Sequence, residues 1–322
     1  MAIVEQAAYT ATTSNLKMRK LTGGFNMARL FLGVLIWGIL LQVPLASAIA
    51  IKQAPKPITD RLVPHRAVYE ITLANKKAAV SVSDVRGRMV FEVTGSPCNG
   101  YTQNMRMITR ITDERGKKTL SDIRSSTWEN TNAGRFSFSS SQYFDQNLQE
   151  TVSGSARRNA KKNNIQVQIK EPGAAALDLP GDVLFPTQHS LAILKAARAR
   201  KNLLAVRIYD GSEQGRGFYQ TYSFIGKQRP PAKQSHSKSV LGKKLSRLGL
   251  SSLPSWPVAI SYFKGRGTKE DAFPSYELSF RLYPNGVSRD LLINYGDFSV
   301  KGSLDRIKYL RKGPCKRKKS GQ

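Results

Sequence analysis

Hydrophobic residues recur at every second position along most of the chain, the period of a half-buried strand. Tyr69, Ile71 and Leu73 share one face while Glu70 and Thr72 share the other. Met89, Phe91 and Val93 alternate with Val90, Glu92 and Thr94, and Phe136 and Phe138 frame Ser137. Tyr276, Leu278, Phe280 and Leu282 alternate in the same way with Glu277, Ser279 and Arg281. Comparable runs predict strands at 101–112, 118–129, 147–158, 164–170, 203–210, 216–225, 257–264, 288–295 and 298–309. Short turn signals separate them: Arg115-Gly116, Asp210-Gly211, Asn285-Gly286 and Gly296-Asp297 all offer residues tolerant of positive φ. Asn285-Gly286 is the clearest hairpin, with Pro284 lengthening its loop.

One segment breaks the period of two. Phe185-Pro186-Thr187-Gln188-His189-Ser190 leads into Leu191, Ile193, Leu194, Ala196, Ala197 and Ala199. This predicts a helix with Thr187 as N-cap, ending near Arg200. A single helix among many strands implies a mainly β, antiparallel architecture with one main inserted helix, packed on a sheet or plugging a curved one. Residues 227–252 change composition, with Pro230-Pro231 and seven Lys or Arg but no acid. They read as a long exposed basic loop, on which Leu241, Leu245, Leu248 and Leu250 could form one short amphipathic turn.

The N-terminus carries a different signal. Lys17, Arg19, Lys20 and Arg29 precede an uncharged run from Leu30 to Leu45, followed by Ala46-Ser47-Ala48. That is the charged, apolar and small-residue order of a cleaved secretory signal peptide over 1–48. The rival is an uncleaved anchor, which the run's length permits, and Met27 offers a second translation start. Such a signal would carry the protein out of the cytoplasm. The remainder divides into a flexible linker over 49–63, a single domain over 64–315 and a basic disordered tail over 316–322. Removing residues 1–48 takes away four basic residues and Glu5, so the net charge falls from +29 to +26. Outside the cytoplasm this charge points to anionic lipid, cell-wall polymer or an acidic protein rather than to nucleic acid. The alternative is a basic surface with no specific partner.

Only two cysteines are present, Cys98 and Cys315, 217 positions apart. In an oxidising compartment each has no partner but the other, so one long-range disulfide is expected. On the chain-entropy account it would contribute roughly 5 kcal/mol at most.

Catalytic chemistry finds little support. His65, His189 and His236 stand at no metal-ligand spacing, and no metal or cofactor is expected. Asp113-Glu114 and Asp122 invite a carboxylate-pair reading, but neighbouring residues on a strand face opposite ways and the first pair ends a hairpin. Gly215-Arg216-Gly217 and Gly265-Arg266-Gly267 lack the strand and helix context of a phosphate loop. An enzyme is not expected, and no residue is a catalytic candidate. The aromatics are more suggestive. In a strongly curved sheet Tyr69, Trp128, Phe136, Phe138, Tyr222, Trp256 and Tyr262 would either fill the core or line an apolar cavity. Lys243, Lys244 and Arg247 are the candidate contacts to an anionic surface.

A series of short motifs carries a resemblance. His65-Arg66-Ala67-Val68-Tyr69, Phe91-Glu92, Cys98-Asn99-Gly100-Tyr101 and Ser125-Ser126-Thr127-Trp128-Glu129 are followed by Phe185-Pro186-Thr187-Gln188-His189 and Tyr209-Asp210-Gly211. Trp256-Pro257-Val258-Ala259-Ile260-Ser261-Tyr262-Phe263 and Asn294-Tyr295-Gly296-Asp297-Phe298 complete it, with Cys315 beyond. In this order they resemble the envelope integrity protein B (EipB) family of alphaproteobacterial periplasmic proteins, across 64–315. The resemblance implies a long, strongly bent antiparallel sheet forming a β-spiral or broken barrel, with a helix inside or against it. It implies an envelope-integrity role without known catalysis, and a disulfide at the positions of Cys98 and Cys315. Periplasmic lipoprotein carriers share the spiral shape, so a lipid, lipoprotein or other anionic amphiphile is the expected ligand of a monomer, by analogy of folds. The alternatives are a scaffold docking an envelope protein and, with no acid, base or nucleophile set behind it, a wall or glycan hydrolase. The basic 227–252 segment and the tail depart from the family's pattern.

Overall fold

A computed structural model describes residues 61–78, 81–232, 239–265, 273–311 and 313. The signal region, the linker up to residue 60, His236, Arg266-Gly267, Cys315 and the tail lie outside the described residues. The strands are β1 (His65–Lys76), β2 (Val82–Ser96), β3 (Gly100–Asp113), β4 (Lys118–Glu129), β5 (Arg135–Phe144), β6 (Asn147–Asn159), β7 (Asn164–Glu171) and β8 (Ala175–Pro180). After the helix α1 (Pro186–Arg198) come β9 (Leu203–Ile208), a short 3-10 turn (Glu213–Gly215) and β10 (Tyr219–Ile225). A second helix, α2 (Val240–Arg247), precedes β11 (Trp256–Lys264), β12 (Tyr276–Leu282), β13 (Ser288–Asn294) and β14 (Phe298–Tyr309).

These strands form one 14-stranded sheet in the order β8-β7-β6-β5-β4-β3-β2-β1-β14-β13-β12-β11-β10-β9. Sequence neighbours pair as hairpins, and β1 joins β14 antiparallel from His65 opposite Tyr309 to Lys76 opposite Phe298. The sheet does not close, because β8 and β9 remain its edges. A single bridge approaches closure: Leu184 N–H donates to Arg207 O at 2.8 Å and Tyr209 N–H donates to Leu184 O at 2.9 Å. The mainly β architecture, one large antiparallel sheet left open with α1 as its main inserted helix, is thus the one observed.

Alternation decides which face is inward. Trp256, Val258, Ile260 and Tyr262 on β11 are buried, as are Tyr276, Leu278, Phe280 and Leu282 on β12. α1 lies in the concavity with Leu191, Ile193, Leu194, Ala196 and Ala197 buried in the main core. A second core, under β5–β8, gathers Phe136, Phe138, Val152, Ile165, Val167 and Ile169 against Phe185 and Tyr209. Phe136 stacks on Phe185 with centroids 4.8 Å apart, and Tyr209 meets both Phe136 and Phe138 edge-on.

Three elements differ from the sequence expectation. β8 was not anticipated, because Ala175-Ala176-Leu177 are poor strand formers and only pairing with β7 holds them extended. The N-cap of α1 is Phe185, with Pro186 at the first helical position, and not Thr187. The 227–252 segment is not wholly an exposed loop: it contains α2, whose Leu245 is buried together with Leu248 and Leu250 just beyond it. No described helix is long and apolar enough to cross a membrane.

Candidate binding site: the cradle of helix α1

Between α1 and the inward face of the sheet lies a cavity of about 70 Å³. Its walls include Tyr69, Met89, Phe91, Met105, Ile193, Leu194, Ile260, Tyr262, Leu278, Phe280, Leu291 and Ile293, with His65, Gln103, His189, Ser190 and Ser288 as the polar exceptions. Methionine is unbranched and adaptable, so Met89 and Met105 can reshape this lining at low cost. Leu62 covers one end, strapped down by Val63 N–H donating to Asn285 O at 3.0 Å and Leu62 N–H donating to Tyr101 Oη at 3.2 Å. Opposite it stands Gly286, whose φ of +86° the Asn285-Gly286 turn requires. The volume admits several water-sized groups. It is far below the roughly 300–1,000 Å³ of pockets that hold drug-sized ligands. A longer chain therefore enters only if the strap or α1 moves.

The first turn of α1 is held from outside the helix. Glu129, at the inward end of β4 and 1% exposed, accepts a hydrogen bond from Thr187 N–H at 2.8 Å. Gln103 Nε2 on β3 donates to Thr187 Oγ1 at 3.0 Å. The helix's own Gln188 turns back, its Oε1 accepting from Phe185 N–H at 3.1 Å. Arg158 on β6 then ties the approach to the helix. Its Nη1 donates to Gly181 O, its Nη2 to Val183 O at 2.9 Å and Gln188 Oε1 at 3.3 Å, and its Nε to Ala133 O at 3.3 Å. The guanidinium also lies 5.3 Å over the Phe185 ring. Free helix N–H groups favour an acceptor at this end, and the sheet supplies one.

Burial perturbs the ionisable groups here. It pushes the Glu129 carboxyl up to about 8, against the opposing pull of the Thr187 bonds. It lowers Arg158 to about 10 and His189 to about 4, and it also lowers His65. His189 Nε2 lies 3.5 Å from Ser223 Oγ. Asp210, buried beside Tyr209, accepts from Ser212 N–H at 2.8 Å and is pushed up to about 6, first by burial. Among the described residues no cluster of His, Cys, Asp or Glu is suited to hold a metal.

Of the seven candidate aromatics, only Tyr69 and Tyr262 line this cavity. Tyr69 Oη donates to Ser288 O at 2.7 Å, and Tyr262 stacks on Tyr276 at 4.2 Å. Trp256 is in the main core away from the cavity walls, and Phe136 and Phe138 fill the second core. Trp128 and Tyr222 stand on the outer face, 36% and 39% exposed, because strand alternation turns them away from Glu129 and Thr221. Lys243 and Arg247 are exposed on α2, and Lys244 is half-buried. Cys98 sits in the β2–β3 turn; Cys315 is outside the described residues, but Gly313 lies over that same turn. A Cβ on Gly313 would fall 3.5 Å from Asn99 Nδ2 and 3.9 Å from Ser96 Oγ.

The motifs singled out in the sequence meet at this cradle. Trp128-Glu129 ends the strand that caps α1, Phe185 to His189 begins α1, Tyr209-Asp210 packs beside Phe185, and His65 and β11 wall the cavity. The EipB-like family model matches residues 58–311. The chain belongs to the EipB-like family. It is 34% identical over 247 residues to the cell envelope integrity protein EipB of Brucella abortus (strain 2308), covering 77% of this chain and 84% of that protein. A crystal structure titled as a beta-barrel-like protein of the domain of unknown function DUF1849, also from Brucella abortus, superposes with a TM-score of 0.68 at 32% identity. It covers 78% of this chain and 100% of that one.

The EipB-like motifs were legible as a series, but their joint role was not. Glu129, Gln103 and Arg158 were not recognised as a group. The signal for Glu129 was available: Ile123 fixes the inward phase of β4, and counting by twos from it reaches Glu129. A lone acid at an inward strand position needs a partner. Gln103 and Arg158 come from β3 and β6, and nothing local connects them to residue 187.

Proposed function

We propose that this EipB-like protein supports envelope integrity from the periplasm without catalysis, by seating the apolar chain of a lipid or lipoprotein between α1 and the sheet. The observation that carries this is the cavity itself: apolar, adaptable through Met89 and Met105, and covered by Leu62 in a two-point strap. Arg61, adjoining the strap, and Arg198, donating to Pro284 O at 3.2 Å, set positive charge at that end for an anionic head. The envelope role follows the name of the Brucella relative. The Cys98–Cys315 disulfide belongs to the same proposal, supported by Gly313 lying over Ser96 and Asn99. Displacement of a fluorescent fatty acid from the purified protein tests the seat. Uptake by the parent and loss in Ile193→Trp, which fills the cavity, is expected; equal uptake by both proteins would place the ligand elsewhere.

A scaffold reading rests on a separate observation. Leu203, Tyr222 and Phe224 are 47%, 39% and 55% exposed on the outer face of β9 and β10. They adjoin a surface groove walled by Phe224, Pro257, Ala259 and Arg281. If a periplasmic partner is captured by the parent and by Ile193→Trp but not by Phe224→Ser, docking is the function and the cavity is core.

A further inference from the structure

Most of α2 is built to stay where it is. Ser239 Oγ accepts from Gly242 N–H at 3.0 Å and caps its start. Its end is a Schellman closure: Gly249, at φ +69°, donates to Ser246 O at 3.0 Å, and Leu250 N–H donates to Leu245 O at 2.8 Å. Leu245, Leu248 and Leu250 are buried at 3%, 4% and 0% exposure, and Tyr309 Oη on β14 donates to Leu248 O at 3.3 Å. The first turn is the opposite. Val240 is 87% exposed and Leu241 48%.

Beside these two apolar side chains the helix carries Lys243, Lys244 and Arg247 and no acid. Tyr309, which anchors its end, is itself 42% exposed and stands in sequence between Lys308 and Arg311. A fixed apolar tip ringed by cations matches the two attractions of a phospholipid surface: apolar burial at the acyl boundary and anionic headgroups above it. An acidic protein would satisfy the cations but leave no account of Val240.

We propose that α2 is a membrane-contact element, with Val240 and Leu241 entering an anionic phospholipid bilayer while Lys243, Lys244 and Arg247 engage its headgroups. This goes beyond the cavity reading and stands without it, since it involves none of the cavity's walls.

The test is co-sedimentation of the exported protein with vesicles of phosphatidylethanolamine and phosphatidylglycerol, compared with phosphatidylcholine alone. Binding is expected only to the former and to weaken with salt. Replacing Lys243, Lys244 and Arg247 by Ser should lower it about 100-fold, at roughly fivefold per charge. Val240→Ser with Leu241→Ser should lower it about 10-fold. Replacing three arginines of the β2–β3 outer face, Arg86, Arg88 and Arg110, by Ser should leave it within about threefold, because strand register sets them level with Lys301 and Ser303 of β14, well along the strand from the Tyr309 that holds α2. In Leu241→Trp, indole emission should shift to the blue on adding the anionic vesicles. Equal losses from the two charge-removing triples, an unshifted emission, or vesicle-independent capture of an acidic protein through α2 would each overturn the proposal.

Discussion

The two helices of this protein are held by opposite means. α1 draws its first-turn acceptor from β4, its Thr187 partner from β3 and its approach from Arg158 on β6, and it is buried throughout its middle. α2 is closed at both ends by residues within its own stretch, from Ser239 to Leu250, and leaves its first turn in solvent. A helix capped by distant strands is part of the global fold and fails with it. A helix capped within its own stretch depends on the strands only through its packed leucines and the Tyr309 bond, so its caps can be changed without touching the sheet.

The sharpest test of that contrast is Arg158→Ala. Four acceptors, Ala133 O in the β4–β5 turn, Gly181 O and Val183 O between β8 and α1, and Gln188 Oε1 in α1, lose a charged donor, and a loss of about 3–5 kcal/mol of global stability is expected by denaturant unfolding. A loss below 1 kcal/mol would mean that the sheet does not hold α1 through this residue. Next in size is Leu194→Ala, which empties a 1%-exposed position on α1 facing the cavity. It should cost about 2–5 kcal/mol and enlarge the seat for an apolar ligand.

The pH dependence is the third test. Glu129 binds its proton up to about pH 8 in the folded protein but only in the ordinary carboxylate range when unfolded. Between those values the folded state holds more protons, so this group's contribution is complete at low pH and is lost as pH rises through about 8. His189, lowered to about 4, and His65 act in the reverse sense: their contribution is present above about 6.5 and is lost as pH falls. Asp210, raised to about 6, follows the sense of Glu129 but only below that pH. From about pH 7.5 to 8, where both histidines are neutral in the folded and the unfolded chain, Glu129 alone of these groups acts, and stability should fall by up to about 1.4 kcal/mol per unit. Thermal melts should show this decline in the parent and its absence in Glu129→Gln, whose amide oxygen can still accept from Thr187.

The smallest effect concerns α2. Gly249→Ala forces a side chain into positive φ, its Cβ 3.2 Å from Tyr309 Cε2. The cost should be about 1 kcal/mol, seen as a small fall in the global melt and as amide exchange at Leu248 and Leu250 that quickens without any change in the order in which the strands exchange. Exchange at Leu248 and Leu250 that stayed tied to that of the central strands would erase the distinction between the helices.

The contrast also explains what could be read from the sequence. Strand alternation is local, so β4 and β14 emerge at their observed bounds, 118–129 and 298–309, and the existence of α1 follows from its alanine-rich run. Its N-cap was misplaced because Thr187 has the chemistry of a cap, whereas the acceptor that serves the helix is Glu129, 58 residues away. α2 was understated for a different reason. Its caps are present in the sequence as Ser239 and Gly249, but the surrounding charge and prolines read as loop. The candidate ligand aromatics divided because aromatic character does not say which face a residue takes: Tyr69 and Tyr262 reach the cavity, while Tyr222 and Trp128 point out. β8 depends on its pairing partner for its conformation, and no local pattern announces it.

The central claim, that an apolar chain sits between α1 and the sheet, is met most directly by native mass spectrometry of the protein purified from a periplasmic extract, followed by lipid extraction. A bound amphiphile that is released on unfolding and absent from Ile193→Trp is the predicted result. A clean mass of the bare chain, the same in parent and variant, would contradict it.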